Sequence, residues 1–169
     1  SAGEAQVLGC DLRRDRRSVR RRVGLLGHAA FLYNDLTVEE NLRFAARAAG
    51  RTPDDAQAGM SLLGLDGRLR EVAVGRLSAG QRRRVGIAGV VVRRPELWLL
   101  DEPHAGLDER TRDVVDSVIG EAGASGSTVL LASHELERAR PLASREVVIG
   151  GGRADGRIPS PVAHALGVA

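Results

Sequence analysis

The sequence predicts an α/β fold: a parallel sheet with crossover helices, interrupted by a mostly helical block. Three observations carry this prediction. Short apolar runs at residues 23–27, 97–100 and 127–133 have the length of buried strands and end at His28, Asp101 and His134. Amphipathic stretches separate them, which implies crossover connections and parallel pairing. Apolar residues make up 43% of the 169 residues but aromatics only 2%, so the core is aliphatic and suits helix-on-sheet packing.

The elements follow in order. Ala5-Gln6-Val7-Leu8-Gly9 reads as a turn and an edge strand. Residues 13–22 hold seven Arg in ten positions and read as a short basic helix on the surface. Residues 23–27 read as a buried strand. Thr37 and Glu40 form the two ends of a capping box, and Leu42, Ala45, Ala46 and Ala49 give the helix behind it an apolar face. Thr52-Pro53-Asp54-Asp55 opens the next helix, with Pro53 in its first turn and acids against the dipole. Met60 and Leu63 lie inside, and Gly64 ends it. Residues 67–76 form a loop or short helix. Residues 81–93 form a third helix, apolar at Val85, Ala88 and Val92, which Pro95 stops. Residues 97–100 then read as a strand covered on both faces. An amphipathic helix over 109–122 presents Val114, Val115, Val118 and Ile119. A further buried strand spans 127–133, a short helix 135–140, and a last strand 145–149 turns at Gly150-Gly151-Gly152. Residues 153–169 are rich in Gly, Pro and Ala and read as a loose tail.

Composition excludes several classes. A single cysteine, Cys10, rules out an intrachain disulfide framework and a Cys-rich metal site, and fits a reducing compartment. Base-stacking nucleic-acid modules need aromatic platforms that are scarce here. No apolar run approaches the roughly 20 residues of a membrane-spanning helix. The net charge is +3, yet all 25 basic residues are Arg. A phosphate-binding loop ending in Gly-Lys-Ser/Thr therefore has no place in these residues.

The motifs point to phosphate chemistry all the same. Leu97-Trp98-Leu99-Leu100-Asp101-Glu102-Pro103 is a strand delivering two acids to its carboxyl end, where sites collect in parallel sheets. One acid there can orient a hydrated Mg2+, and the second can polarise a water. Acids after a strand also serve as helix caps. Leu77-Ser78-Ala79-Gly80-Gln81 offers a hydroxyl, backbone N–H groups and a positive helix end to phosphate oxygens; Ser78 and Gln81 equally make an ordinary capping box. His28 and His134 end separate strands and are expected to converge with Asp101 and Glu102, although a lone His is usually satisfied by backbone. Asp108 can cap the helix over 109–122.

In order and spacing, Leu77-Ser78-Ala79-Gly80-Gln81, Leu97-Trp98-Leu99-Leu100-Asp101-Glu102-Pro103, Ala105-Gly106-Leu107-Asp108 and Ser133-His134 resemble four motifs of the ATP-binding domain of ABC transporters: signature, Walker B, D-loop and switch histidine. The resemblance runs from Ser1 to about Arg153. It implies a P-loop NTPase-like parallel sheet with a helical subdomain. Residues 1–32 and 94–152 would form the catalytic core, 33–93 the helical subdomain, and 153–169 the tail. ATP and Mg2+ are the implied cofactors. Glu102 would be the general base, Asp101 would hold Mg2+ through water, and His134 would sense the γ-phosphate. Ser78, Gly80 and Gln81 would face ATP bound to a second ATP-binding subunit in a head-to-tail dimer, with Asp108 coupling the two sites. His28 stands at the Q-loop position, where the family has Gln. Gly27-His28 and Phe31-Leu32-Tyr33-Asn34-Asp35-Leu36-Thr37-Val38-Glu39-Glu40-Asn41-Leu42-Arg43-Phe44 are most similar to the haem-exporter ATP-binding subunits of cytochrome c maturation, with Ala29 where related exporters carry Gln.

The resemblance further implies a cytoplasmic subunit, peripheral on the inner face of the membrane and held there by a transmembrane subunit, with no nucleic-acid partner. The N-terminal P-loop strand and helix of the family are absent from these residues, so the chain is expected to be an N-terminally truncated piece, inactive and poorly stable alone. Other readings remain: a non-hydrolysing partner that lends only Ser78 and Gly80, a soluble ABC protein outside transport, or an arginine-driven nucleic-acid binder.

Overall fold

A computed structural model describes residues 3–28 and 31–155. The chain divides into two units, residues 1–133 and 134–169.

The first unit begins with a two-stranded antiparallel hairpin, β1 (Gln6–Val7) and β2 (Cys10–Asp11), turned by Leu8 and Gly9 in left-handed conformations. The expected edge strand over residues 5–9 is thus half a hairpin, and among the described residues it pairs with no strand of the main sheet. Helix α1 (Arg16–Arg22) starts later than residue 13 because Asp15 caps it, accepting from the Ser18 N–H. Only Val19 is buried on it, so the arginines are a solvated face.

The main sheet has three parallel strands in the order β3 (Val23–Leu26), β4 (Leu97–Asp101), β5 (Thr128–Ala132). Register is in phase, with Leu26 opposite Leu100 and Asp101 opposite Ala132. Two of the three strands were expected to be buried throughout and are not. Leu25 on β3 is 49% exposed and Leu130 on β5 is 62% exposed. Both strands are edges of the sheet among the described residues, so neighbours cover only part of each. Central β4 buries Trp98 and Leu100 fully and its alternate residues partly, so it is not covered equally on both faces. Its entry is fixed by the Pro95 carbonyl, which accepts from Trp98 Nε1 and Ser127 Oγ, both at 3.1 Å.

Between β3 and β4 lie α2 (Val38–Ala48), α3 (Pro53–Leu62) and α4 (Ala79–Arg93). Each begins with a reciprocal capping box: Thr37 with Glu40, Thr52 with Asp55, and Ser78 with Gln81. Such a cap is worth about 1 kcal/mol. Their shared core contains Leu42, Met60, Val85 and Val92, all at most 2% exposed. Burial of each large apolar side chain contributes roughly 1.5–3 kcal/mol. The α3–α4 crossing is close enough that a Cβ on Gly59 would stand 2.5 Å from a Val92 methyl. Helix α4 ends at Arg94, in left-handed conformation just before Pro95.

Two 3-10 turns, Gly67–Glu71 and Val74–Arg76, lead from α3 to α4. They are stitched to the loop before α2 by three backbone bonds: Val38 N to Val72 O, Val74 N to Leu36 O, and Gly75 N to Asn34 O. Buried Asn41 holds the same loop from the other side. Its amide donates to the carbonyls of Tyr33, Leu36 and Thr37, and its oxygen accepts from the Tyr33 N–H at 2.9 Å. Helix α5 (Glu109–Ala124) connects β4 to β5 and buries Val115, Val118, Ile119 and Ala122, while Val114 is only half-buried.

In the second unit α6 (Leu136–Ala139) runs into a 3-10 turn, Arg140–Leu142, so the α-helical part is shorter than the expected 135–140. Arg140 pairs with Glu146 through two bonds of 3.2 Å. Strands β6 (Val148–Gly150) and β7 (Arg153–Asp155) form an antiparallel hairpin about Gly151 and Gly152, both left-handed. The expected tail therefore starts later than residue 153, and the rest of it lies outside the described residues. No described helix is long and apolar enough to cross a membrane.

Candidate functional site

The site is built where β4 ends. Asp101 closes the strand and is exposed. Glu102 follows with φ +48°, a left-handed backbone at a residue with a Cβ. That conformation costs on the order of 1–3 kcal/mol and persists only when neighbours enforce it. Three groups do so. The Glu102 N–H donates to Ala132 O at 2.9 Å, its carbonyl accepts from Ala105 N–H at 3.1 Å, and the same carbonyl accepts from Arg83.

Arg83 comes from α4 and is 8% exposed. Its Nη1 donates to Gly27 O at 2.8 Å, and its Nη2 to the carbonyls of Asp101 and Glu102. Burial pulls its pKa below the ordinary guanidinium value, against the opposing pull of the Asp101 and Glu102 charges. The group stays protonated regardless. Sequence reading passed over Arg83 as one of a run of three. The signal was its helical spacing from Gly86, Ile87 and Val90, which are all buried.

Ser78, Gly80 and Gln81 sit at the start of α4. Ser78 Oγ accepts from Gln81 N–H at 3.2 Å, and Gln81 Oε1 accepts from Ser78 N–H at 2.9 Å. The Ser78 hydroxyl proton is left free by this arrangement to donate outward. Gly80 abuts the turn after the acids: a Cβ there would stand 2.4 Å from Gly106 O. Asp108 caps α5, accepting from Thr111 N–H at 2.9 Å and from its hydroxyl. The Thr111 backbone bond is the first cause of a carboxyl held below its ordinary range.

The structure therefore gathers Asp101, Glu102, Gly80 and the 105–108 turn into one region. His28 stands two residues beyond Leu26, exposed, at the sheet end where Asp101 stands one residue beyond Leu100. His134 opens the second unit, where it is exposed. Sequence reading overlooked a different histidine. His104 is 1% exposed, and its Nε2 lies 2.8 Å from Asp116 Oδ1 on α5, while Nδ1 is buried with no hydrogen-bond partner among the described residues.

A parallel sheet carrying acids at the end of its central strand, with a capped helix alongside, is the architecture of ATP-binding cassettes. The solved dimer of an ATP-binding cassette in a post-hydrolysis state, bound to ADP and Pi, superposes with a TM-score of 0.82 at 23% identity over 92% of this chain and 74% of that one. The ATP-binding subunit of an ABC transporter superposes at 0.79 and 26% identity, over 88% and 64%. The chain belongs to the ABC transporter family, whose model matches residues 1–105. Among its relatives, the cytochrome c biogenesis ATP-binding export protein CcmA 2 of Cupriavidus metallidurans is 40% identical over 68% of this chain and 54% of its own length. The daunorubicin/doxorubicin resistance ATP-binding protein DrrA of Streptomyces peucetius is 37% identical over 89% and 47%. The chain thus spans about half the length of these curated relatives.

Proposed function

We propose that this chain is the part of an ABC-type ATPase subunit that carries the hydrolytic acids and the signature turn. The observation that carries the reading is the Asp101-Glu102 pair at the end of the central parallel strand, next to the turn that touches Gly80. Asp101 would hold a hydrated Mg2+, which commonly takes one or two carboxylates with waters and phosphate oxygens. Glu102 would take a proton from the attacking water. The outward Ser78 hydroxyl and the first N–H groups of α4, with Gly80 and Gln81, suit the γ-phosphate of ATP held by a second subunit in a head-to-tail dimer. Asp108 would couple the two sites, His134 would sense a γ-phosphate, and His28 would occupy the Q-loop position. Since these residues contain no Lys, the cradle for this subunit's own nucleotide is not among them.

The helical block 33–93 would act as a helical subdomain beside a core of 1–32 and 94–152. Its groove is the natural seat for a transmembrane subunit. This cavity of about 520 Å³ is lined by Leu25, Phe31, Tyr33, Phe44 and Val90 among others, and holds three of the chain's four aromatic residues. Through that seat the subunit would lie peripherally on the cytoplasmic face. Export for cytochrome c maturation rests on the similarity to the CcmA proteins. A drug-export reading rests on the similarity to DrrA, which spans more of the chain.

The test is Mg-ATP hydrolysis by the subunit with its native flanking residues. Glu102→Gln is expected to abolish turnover while ATP still binds and holds the dimer. Undiminished hydrolysis in that variant would remove Glu102 as the base. The 169 residues alone are expected to bind Mg-ATP weakly or not at all, and micromolar binding would contradict the assignment of the cradle elsewhere.

A further inference from the structure

We propose that Arg83 is the positioning residue of the acid turn, fixing the direction in which Asp101 and Glu102 are presented and tying that direction to helix α4. The inference deepens the ATPase reading and rests on it for the role of Glu102. Arg83 is a buried cation that donates to three main-chain carbonyls: Gly27 at the end of β3, Asp101 at the end of β4, and Glu102 beyond it. A side chain needed only to fill space there would be cheaper as Leu or Met, because burying a charge is costly unless it is hydrogen-bonded. The planar fork of Arg suits several fixed acceptors at once in a way that a Lys ammonium does not.

The acceptors explain the choice. Glu102 is left-handed, and the carbonyls of residues 101 and 102 define the peptide planes on either side of its Cα. Holding both planes sets the Cα–Cβ direction of Glu102, and with it the carboxylate. The same cation attracts the charges of both acids. Arg83 also lies five residues along from Ser78 on a helix capped by that residue. A displacement of the α4 start therefore reaches the acids through one side chain.

The experiment compares amide hydrogen exchange in the subunit with its native flanking residues, as wild type and with Arg83→Lys or Arg83→Gln, variants that keep a donor and differ in charge and shape. Exchange at the Ala105 amide, which closes this turn onto the Glu102 carbonyl, and at the Glu102 amide, which bonds across to Ala132, is expected to accelerate about tenfold or more, while Val92 on α4 and Leu99 on β4 keep their protection. Unchanged protection at Glu102 and Ala105 overturns the proposal. So does a uniform loss across α4 and β4, which would mark Arg83 as general packing. In the subunit with its native flanking residues, both variants are expected to lower kcat about tenfold with KM for Mg-ATP within about twofold. A rise in KM with kcat unchanged overturns positioning of the acids. A wild-type subunit that hydrolyses nothing removes the base reading of Glu102, and the exchange pattern still decides whether Arg83 holds the turn.

Discussion

Gly80 and the carbonyl of Gly106 approach so closely that a Cβ at position 80 would stand 2.4 Å from the oxygen. The obstacle is backbone, which no rotamer change relieves. Gly80→Ala is therefore expected to lose about 1–3 kcal/mol of stability, read as a lower urea midpoint with an unchanged slope. An unaltered midpoint would mean that the two turns part freely.

His104 and Asp116 join the segment after the acids to α5 through a largely buried hydrogen bond. Removing Asp116 leaves the buried His104 Nε2 without this bond, and removing His104 also empties its buried site. His104→Ala and Asp116→Ala are each expected to cost about 1–3 kcal/mol, and the double variant less than the sum. Strict additivity in the denaturation cycle would show that the bond contributes nothing.

Asp108 carries a pH signature. Its folded pKa lies below the ordinary carboxylate value, first through the Thr111 N–H and then through the Thr111 hydroxyl. Its contribution is therefore present above the unfolded pKa of about 4 and disappears as pH falls through the folded value. Asp108→Asn keeps an oxygen at the cap and loses the charge. The gap in urea midpoint between wild type and this variant is expected at pH 7 and should close in acid, below the folded value. A gap that persists there would assign the effect to shape.

Phe31 is 81% exposed in the apolar groove. Phe31→Ser is expected to change stability by less than about 0.5 kcal/mol, as exposed sites usually do. If the proposed transmembrane partner seats there, it should nonetheless weaken co-purification with that partner. Full retention of that complex would place the partner elsewhere.

The outer edge of β5 has no partner strand among the described residues, and Leu130 is 62% exposed. Such an edge invites association between copies. The 169-residue chain is expected to unfold at low temperature with concentration-dependent light scattering, reduced by Leu130→Lys. A monomer unfolding cooperatively at high temperature would overturn this.

Local chemistry was legible in the sequence. The capping boxes at Thr37 and Ser78 appear as read, since a cap spans four residues and needs nothing from elsewhere. The parallel order of the sheet followed from strand–helix alternation. What escaped was long-range. Arg83 meets Gly27, 56 residues away, and no periodicity names a distant carbonyl as a partner. His104 finds Asp116 one helix later. The burial of β3 and β5 was overestimated because an apolar run cannot say whether neighbours exist on its far side. The turn at Gly151 and Gly152 was legible, but the return strands β2 and β7 are too short to show alternation.

The loop that lines the aromatic groove and the turn that leads to Ser78 are sewn together by the Asn34, Leu36 and Val72 carbonyls. The groove that Tyr33 lines and the turn that precedes α4 therefore share one hydrogen-bonded backbone, with the buried Asn41 amide bonded to the Tyr33 N–H and carbonyl.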